Sequence, residues 1–155
     1  MQIRPRTDDD APALVAVLAE VHERDGYPVR RINVRREWLW DDGFVGAWVA
    51  VDDGAVVGHV ALADHFAGPG VPLGALGISR LFVAPSANGR GAGAALLDAA
   101  RSATGDRPLG LEVTDSSTAA RALYERLGWH RVGEGVAEWA DLDGRHPHLT
   151  YYVAP

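Results

Sequence analysis

The chain has 155 residues, of which 47% are hydrophobic and 23% charged, and this predicts one globular domain spanning residues 1–155. It contains no cysteine, and all 15 basic residues are arginine, so disulfides, thiol nucleophiles, lysine Schiff bases and the phosphate-binding P-loop are excluded. The net charge of −6 argues against uniformly basic nucleic-acid binding, and no apolar run reaches the roughly 20 residues of a membrane span. Because the start of the chain is charged rather than apolar, we expect no secretory signal and a cytoplasmic protein.

The first half of the chain predicts a strand, two helices and a hairpin. Gln2–Arg6 is predicted to be a strand, and the helix after it has apolar residues at helical spacing. A polar, turn-rich segment then precedes a second short helix at Arg35–Trp40. Strands at Trp48–Val51 and Val56–Leu62 flank the sequence Asp52-Asp53-Gly54, which is a strong hairpin signal.

The second half begins with a Gly/Pro-rich loop, Asp64–Gly74, and predicts four strands and two helices. The predicted strands are Leu76–Val83, Leu109–Val113, one starting at Trp129–Val132, and Leu149–Val153. One helix follows a glycine-rich turn, and the other begins at Ser117 as its cap and stops at Gly128. A strand–helix–strand unit over residues 76–113 implies a parallel pair with a right-handed crossover. The predicted fold is therefore α/β, with a mixed, mostly antiparallel central sheet and helices on both faces.

The glycine turn Asn88–Gly93 is the first candidate site. A glycine turn that opens a helix leaves backbone N–H groups unpaired, and with the helix dipole these groups form an anion site. Arg90 adds a positive charge. The alternatives are a turn that only packs a helix onto a strand, and the dinucleotide fingerprint G-x-G-x-x-A, which Gly89, Gly91 and Ala94 also satisfy. The turn favours binding of a phosphate-bearing ligand and does not identify it.

A second motif reads Ser117-x-x-Ala120-x-x-Leu123-Tyr124-x-x-x-Gly128-Trp129. Together with the glycine turn, it resembles the GNAT acetyltransferase superfamily. In that family Gln/Arg-x-x-Gly-x-Gly/Ala is followed later by Asn-x-x-Ala-x-x-Leu-Tyr-x-x-x-Gly-Phe. The resemblance is strong over Leu76–Gly133 and weaker over nearly the whole chain. Asn88 and Ser117 depart from the pattern, since the family usually has Gln or Arg at the first position and Asn at the second.

The resemblance implies a single GNAT-like N-acetyltransferase domain with acetyl-CoA as cosubstrate and no metal. The parallel β-α-β unit would bind CoA, because the N–H groups of the turn would hold its pyrophosphate. The strand before the turn would pair with the pantetheine arm, and a strand N–H would polarise the thioester carbonyl. Ser117 would contact pantetheine or serve only as a cap. The implied cofactor-binding residues are Leu81, Phe82, Val83, Asn88, Gly89, Arg90, Gly91, Ala92, Gly93 and Ser117.

The resemblance also implies catalytic residues. Tyr124 would donate a hydrogen bond to the leaving thiolate, which is energetically adequate for a phenol of pKa about 10 and a thiol of pKa about 8.5. The alternative is a core tyrosine, since Tyr124 lies on an apolar helix stripe. Glu112 and His59 are candidates for the base that deprotonates the amine through a water chain. For each of them, simple packing on a strand is an equal alternative.

On the acceptor side, we expect Tyr27, Trp38 and Asp25 to line the amine site, because acids and aromatics suit a cationic amine. The predicted partner is a small-molecule or peptide amine, with no nucleic acid and no membrane. The apolar strand Leu149–Val153 suggests a homodimer formed by strand pairing. Two other functions stay open: a non-catalytic module that binds or senses acyl-CoA and, less favoured, a dinucleotide-dependent oxidoreductase. Because the chain has no cysteine for an acetyl-enzyme, we expect direct attack in a ternary complex.

Overall fold

The computed structural model describes residues Met1–Pro155 and contains seven strands, four α-helices and three short 3-10 helices. The strands are β1 (Gln2–Pro5), β2 (Phe44–Asp52), β3 (Ala55–Ala63), β4 (Leu76–Val83), β5 (Leu109–Thr114), β6 (His130–Val136) and β7 (His148–Val153). The helices are α1 (Ala11–Asp25), α2 (Arg36–Leu39), α3 (Ala92–Ser102) and α4 (Thr118–Arg126). Every predicted strand and helix is present. None of the helices combines the length and the apolar character that crossing a membrane requires.

The chain forms two compact units. The first unit is Met1–Ala63 with Ile78–Ala103, and the second is Asp64–Gly77 with Thr104–Pro155. The hydrogen-bonded strand order is β1-β2-β3-β4 in the first and β4-β5-β7-β6 in the second, since β4 contributes residues to both. One domain over residues 1–155 stays a prediction.

The first unit carries helices on both faces of its sheet, as predicted. Successive strand residues point to opposite faces. On β2, buried Val49 belongs to the core cluster of α1, whereas its neighbour Ala50 packs with Leu96 of α3. The β2–β3 hairpin turns at Asp53 and Gly54, whose φ angles of +50° and +79° are those of the predicted tight turn.

The second unit contains the predicted parallel pair. In it Leu76 and Gly77 of β4 pair with Leu109 and Gly110 of β5. Both glycines lie against the ring of Phe66, because a Cβ on either one would meet that side chain at 2.8 or 2.7 Å. The loop before β4 therefore closes over the paired glycines, and larger residues would displace it.

Strand β7 lies in the interior of the second unit's sheet. It is antiparallel to β5 on one side and to β6 on the other, with partners along its whole length. A strand that is paired on both edges has no free edge to offer to another chain. The expectation that Leu149–Val153 pairs across a homodimer is therefore wrong.

Candidate active site

Strand β4 is kinked at Arg80, whose φ of +53° lies in the left-handed region that non-glycine residues rarely adopt. A histidine from β3 holds this kink. His59 Nδ1 lies 2.8 Å from the carbonyl oxygen of Arg80, and His59 Nε2 lies 3.0 Å from Arg6 Nη1. Since a carbonyl only accepts and a guanidinium only donates, Nδ1 carries the proton and Nε2 accepts. The three residues thus form one hydrogen-bonded chain that fixes the backbone of β4.

The environment of His59 keeps its imidazole neutral. The side chain is fully buried and its ring stacks on Phe82 at a centroid distance of 5.3 Å. Burial, with a smaller contribution from the charge of the nearby Arg6, lowers the pKa of His59 to about 4, although the hydrogen bond to the Arg80 carbonyl opposes this shift. Both ring nitrogens are engaged, so this geometry gives His59 a positioning task and offers no lone pair to a substrate proton.

In the first unit, the part of β4 that carries the kink has one unpaired edge. It pairs with β3 on one side, while the parallel ladder on the other side ends at Gly77. Phe82 is buried among residues of the α1 cluster, Leu81 packs toward α3, and Val83 contacts both clusters. An unpaired strand edge presents N–H and C=O groups to which an extended chain can add.

The glycine turn follows this strand and opens α3. Gly89 and Gly91 have φ angles of +80° and +82°, and a Cβ on either would meet nothing within 4 Å. Both positions therefore favour glycine because of their positive φ angles, since there is space for a side chain at each of them. The first helical bond runs from Ala95 N–H to Gly91 O at 3.0 Å, and the N–H groups of Gly89 to Ala94 have no acceptor in the protein. Such a row at the positive end of an 11-residue helix fits a phosphate group.

Two side chains of the turn differ in their roles. Asn88 lies exposed at the start of the turn. The guanidinium of Arg90 forms an ion pair with Asp52 of the β2–β3 hairpin. Because the guanidinium is engaged with this carboxylate, the backbone N–H groups are the donors of the turn that remain free for an anion.

In the second unit, Glu112 of β5 lies directly opposite Tyr151 of β7. Directly opposed residues share one face of a sheet. The Tyr151 hydroxyl donates a hydrogen bond to the Glu112 carboxylate. Partial desolvation raises the pKa of Glu112, and the hydrogen bond from Tyr151 opposes this shift. Because the Glu112 side chain is exposed, it can exchange protons with solvent or substrate.

Tyr124 of α4 is buried, with 6% of its surface exposed. Its ring contacts those of Trp129 and Tyr152 at centroid distances of 5.9 and 5.8 Å. These contacts fix the direction of the ring. Ser117 occupies the N-cap position of α4, but its hydroxyl bonds the Thr114 hydroxyl at 3.0 Å and no side-chain cap bond forms. The predicted capping role of the Ser117 side chain is therefore wrong.

The residues expected on the acceptor side all lie in the first unit. Tyr27 contacts Trp38 edge-to-face at 5.6 Å. The guanidinium of Arg80 lies 4.0 Å above the Trp38 ring, so it occupies the ring face that was expected to attract a cationic amine. Asp25 is exposed and lies 3.9 Å from Arg24. Sequence reasoning missed Arg80, whose one signal is a charged residue inside an otherwise uncharged strand.

Comparison with solved structures places this architecture among acetyltransferase folds. The ribosomal-protein-alanine N-acetyltransferase from Brucella melitensis superposes with a TM-score of 0.70 at 26% identity, covering 99% of this chain and 98% of that one. The protein yncA from Salmonella typhimurium, solved with its cofactor acetyl-CoA, gives a TM-score of 0.74 at 20% identity and covers 99% and 92%.

The sequence comparisons identify the family. The model of the acetyltransferase (GNAT) domain matches residues 44–131, which is more than half of the chain. Mycothiol acetyltransferase from Salinispora arenicola is 37% identical over 135 residues, which are 83% of this chain and 43% of that protein. The chain therefore belongs to the GNAT acetyltransferase family, and it spans less than half the length of this curated relative.

Proposed function

We propose that the protein is an N-acetyltransferase that transfers the acetyl group of acetyl-CoA to an amine by direct attack. The observation that carries this proposal is the row of unpaired N–H groups at Gly89 to Ala94, which follows β4 and its unpaired edge after one short 3-10 turn, Pro85–Ala87. Membership in the GNAT family supports the same conclusion.

The cosubstrate would be held mainly by backbone atoms. Acetyl-CoA supplies the acetyl group as a thioester, which is activated toward attack by an amine. The N–H groups of the glycine turn would donate to its pyrophosphate. The free edge of β4 would pair with the extended pantetheine arm, and the N–H of Phe82 or Val83 would polarise the thioester carbonyl. The kink at Arg80, which His59 holds, sets the direction of these neighbouring N–H groups.

The residues of the second unit would handle protons. An alkyl ammonium has a pKa near 10.4 and must lose a proton before its nitrogen attacks. Glu112 is the better placed of the two predicted bases, because it is exposed whereas both nitrogens of buried His59 are engaged. Tyr124 would donate a hydrogen bond to the leaving sulfur. We keep Ser117 as a candidate pantetheine contact through its hydroxyl.

The acceptor class stays broad at this level. One relative is named a mycothiol acetyltransferase and one structural neighbour a ribosomal-protein-alanine N-acetyltransferase. These names leave small-molecule and peptide amines both open for this chain. Neither name alone selects an acceptor.

A screen of amines with acetyl-CoA tests the proposal. Release of free thiol is measured, and because the protein has no cysteine, every thiol that appears reports CoA. We expect turnover with at least one amine, together with binding of acetyl-CoA and not of NAD in a thermal-shift measurement. Binding of acetyl-CoA without turnover on any amine would favour the non-catalytic module, and binding of NAD would favour the oxidoreductase.

A further inference from the structure

Arg80 is a half-buried cation without an acidic partner. The ion pairs of the structure join six other arginines to carboxylates, and no carboxylate oxygen lies within 4 Å of Arg80. Asp41 attracts it only from a longer distance, and burial lowers the pKa of Arg80. The protein has a net charge of −6 and thus many carboxylates that could pair with an arginine. A partly desolvated arginine without a carboxylate partner therefore indicates a site for an external anion.

The guanidinium of Arg80 is held in a fixed orientation. Its Nε donates to the carbonyl of Trp38 at 3.0 Å, and Nη1 donates to the Ser79 hydroxyl at 3.2 Å. The plane lies over the Trp38 ring at 4.0 Å, with Phe44 at 5.4 Å. A guanidinium has five N–H donors, so three of them remain without a protein acceptor. Arg121 Nε is a buried side-chain nitrogen without a hydrogen-bond partner, and no nitrogen of Arg80 is in that state. The free donors of Arg80 are therefore open to solvent.

A second donor group, the Tyr27 hydroxyl, belongs to a ring that packs against Trp38. The Tyr27 and Trp38 rings contact edge-to-face at a centroid distance of 5.6 Å, and Tyr27 is half-buried. Burial raises the pKa of Tyr27 to about 12, so the phenol stays protonated and donates at neutral pH. The charge of Arg80 acts on Tyr27 and thus lies nearby.

From this arrangement we infer that Arg80 and Tyr27 form an anion subsite on Trp38, and that the acceptor is an amine that also carries a carboxylate. A planar carboxylate matches the free donors of a fixed guanidinium, and the phenol supplies one more donor. This inference rests on the proposed function and narrows the expected cationic amine to one that also carries a carboxylate, because Arg80 already covers a face of the Trp38 ring. The α-amino acid, with both groups on one carbon, is the simplest member of this class.

Matched acceptor pairs test the subsite. The panel consists of α-amino acids, each compared with its carboxamide, which keeps the amine and loses the negative charge. We expect the wild-type protein to prefer the acids by about tenfold or more in kcat/KM, the range of a charge-assisted hydrogen bond. Arg80→Gln should abolish this preference by raising KM for the acids while changing the carboxamides by less than about threefold. Arg36→Gln is the matched control, because Arg36 also stacks on a tryptophan but already pairs with Asp8.

A binding measurement makes the test independent of turnover. The N-acetylated amino acids and N-acetylated carboxamides of the same panel are titrated into the protein, and binding is followed by calorimetry. We expect the acids to bind the wild type and the Arg36→Gln variant better than the carboxamides, and Arg80→Gln to lose this difference. If no amine is turned over but the binding difference is present and depends on Arg80, the proposed function fails and the subsite stands.

Two further variants test the subsite if Arg80→Gln does not fold. Arg80→Lys keeps the charge but not the planar fork, and Tyr27→Phe removes one hydroxyl. Each should reduce the ratio of kcat/KM for acids over carboxamides by about threefold to tenfold. Its melting temperature should be no lower than that of the control variant Arg36→Gln. The subsite is refuted if acids and carboxamides are used and bound equally by the wild type, or if these variants lower activity on both members of each pair alike.

Discussion

The candidate groups of the two units are of different kinds. Those in the first unit are largely backbone groups, namely the N–H row of the glycine turn and the free edge of β4, whereas those proposed in the second unit are the side chains of Glu112 and Tyr124. Backbone groups bind by position and tolerate changes of side chain, but they depend on φ angles. Side-chain groups depend on their protonation and on the residues that orient them. The first unit should therefore be sensitive to conformation, and the second to pH and to the loss of single functional groups.

Glu112→Gln should produce the largest effect. Removing a general base costs roughly 10²–10⁴-fold in rate, so we expect kcat/KM to fall by about that factor with little change in acetyl-CoA affinity. In the wild type, activity should decrease as the pH falls through the raised pKa of Glu112, because protonation removes the base. Glu134→Gln, at an exposed glutamate paired with Arg131, is the control and should keep full activity.

Tyr151→Phe sharpens this test within the second unit. The hydrogen bond from Tyr151 lowers the pKa of Glu112, so its loss should move the acid side of the pH–rate profile to higher pH. Glu112→Gln should lack that pH dependence altogether. An acid limb that is the same in all three proteins would exclude Glu112 as the base.

Gly91→Val should weaken acetyl-CoA binding on the order of 100-fold. A β-branched residue is strained at a φ of +82°, and its side chain would stand beside the N–H groups that are proposed to hold phosphate. The dissociation constant is measured by calorimetry. Gly105→Val, at a φ of +61° and also with nothing within 4 Å, carries the same strain outside the site and should lose stability but not affinity. Equal losses of affinity in both variants would contradict the assignment.

His59→Asn should change how stability depends on pH. With a folded pKa of about 4 and an unfolded pKa of about 6.5, the unfolded state takes up a proton first as the pH falls. The stability that neutral His59 contributes is therefore complete above pH 6.5 and lost between 6.5 and 4, on the order of 3 kcal/mol. Denaturant unfolding over this pH range should show the loss in the wild type and in His65→Asn, at an exposed histidine, but not in His59→Asn. An unchanged pH dependence in His59→Asn would show that His59 is not held neutral.

Tyr124→Phe should have the smallest effect of these variants, about tenfold or more on kcat. The ring contacts with Trp129 and Tyr152 do not need the hydroxyl, and denaturant unfolding of the variant separates any loss of stability from the loss of kcat. Tyr152→Phe serves as the control, since its hydroxyl bonds Glu125. If kcat is unchanged in a stable Tyr124→Phe protein, Tyr124 does not assist the leaving sulfur.

Local sequence features were sufficient to predict the backbone part of the candidate site. The bounds of β4 and the position of the glycine turn follow from an apolar run and from glycines, which signal positive φ angles. The family motifs likewise located the start of α3. These features depend on neighbours within a few residues, and this is why one sequence was sufficient.

The side-chain networks could not be predicted in the same way. The bond between Arg6 and His59 joins residues 53 positions apart, and the pair of Arg90 with Asp52 spans 38. The positive φ of Arg80 is imposed by tertiary contacts where no glycine marks it. The position of β7 between β5 and β6 depends on the order of strands in the sheet, and no local sequence pattern predicts that order.

A titration of ¹⁵N-labelled protein with acetyl-CoA, followed by backbone amide NMR, tests most directly whether the glycine turn and the free edge of β4 bind the cosubstrate. We expect the largest shifts at the N–H groups of Gly89 to Ala94 and along Leu81 to Val83. Shifts confined to other residues, or the same shifts with NAD, would contradict the assignment of the glycine turn as an acetyl-CoA site.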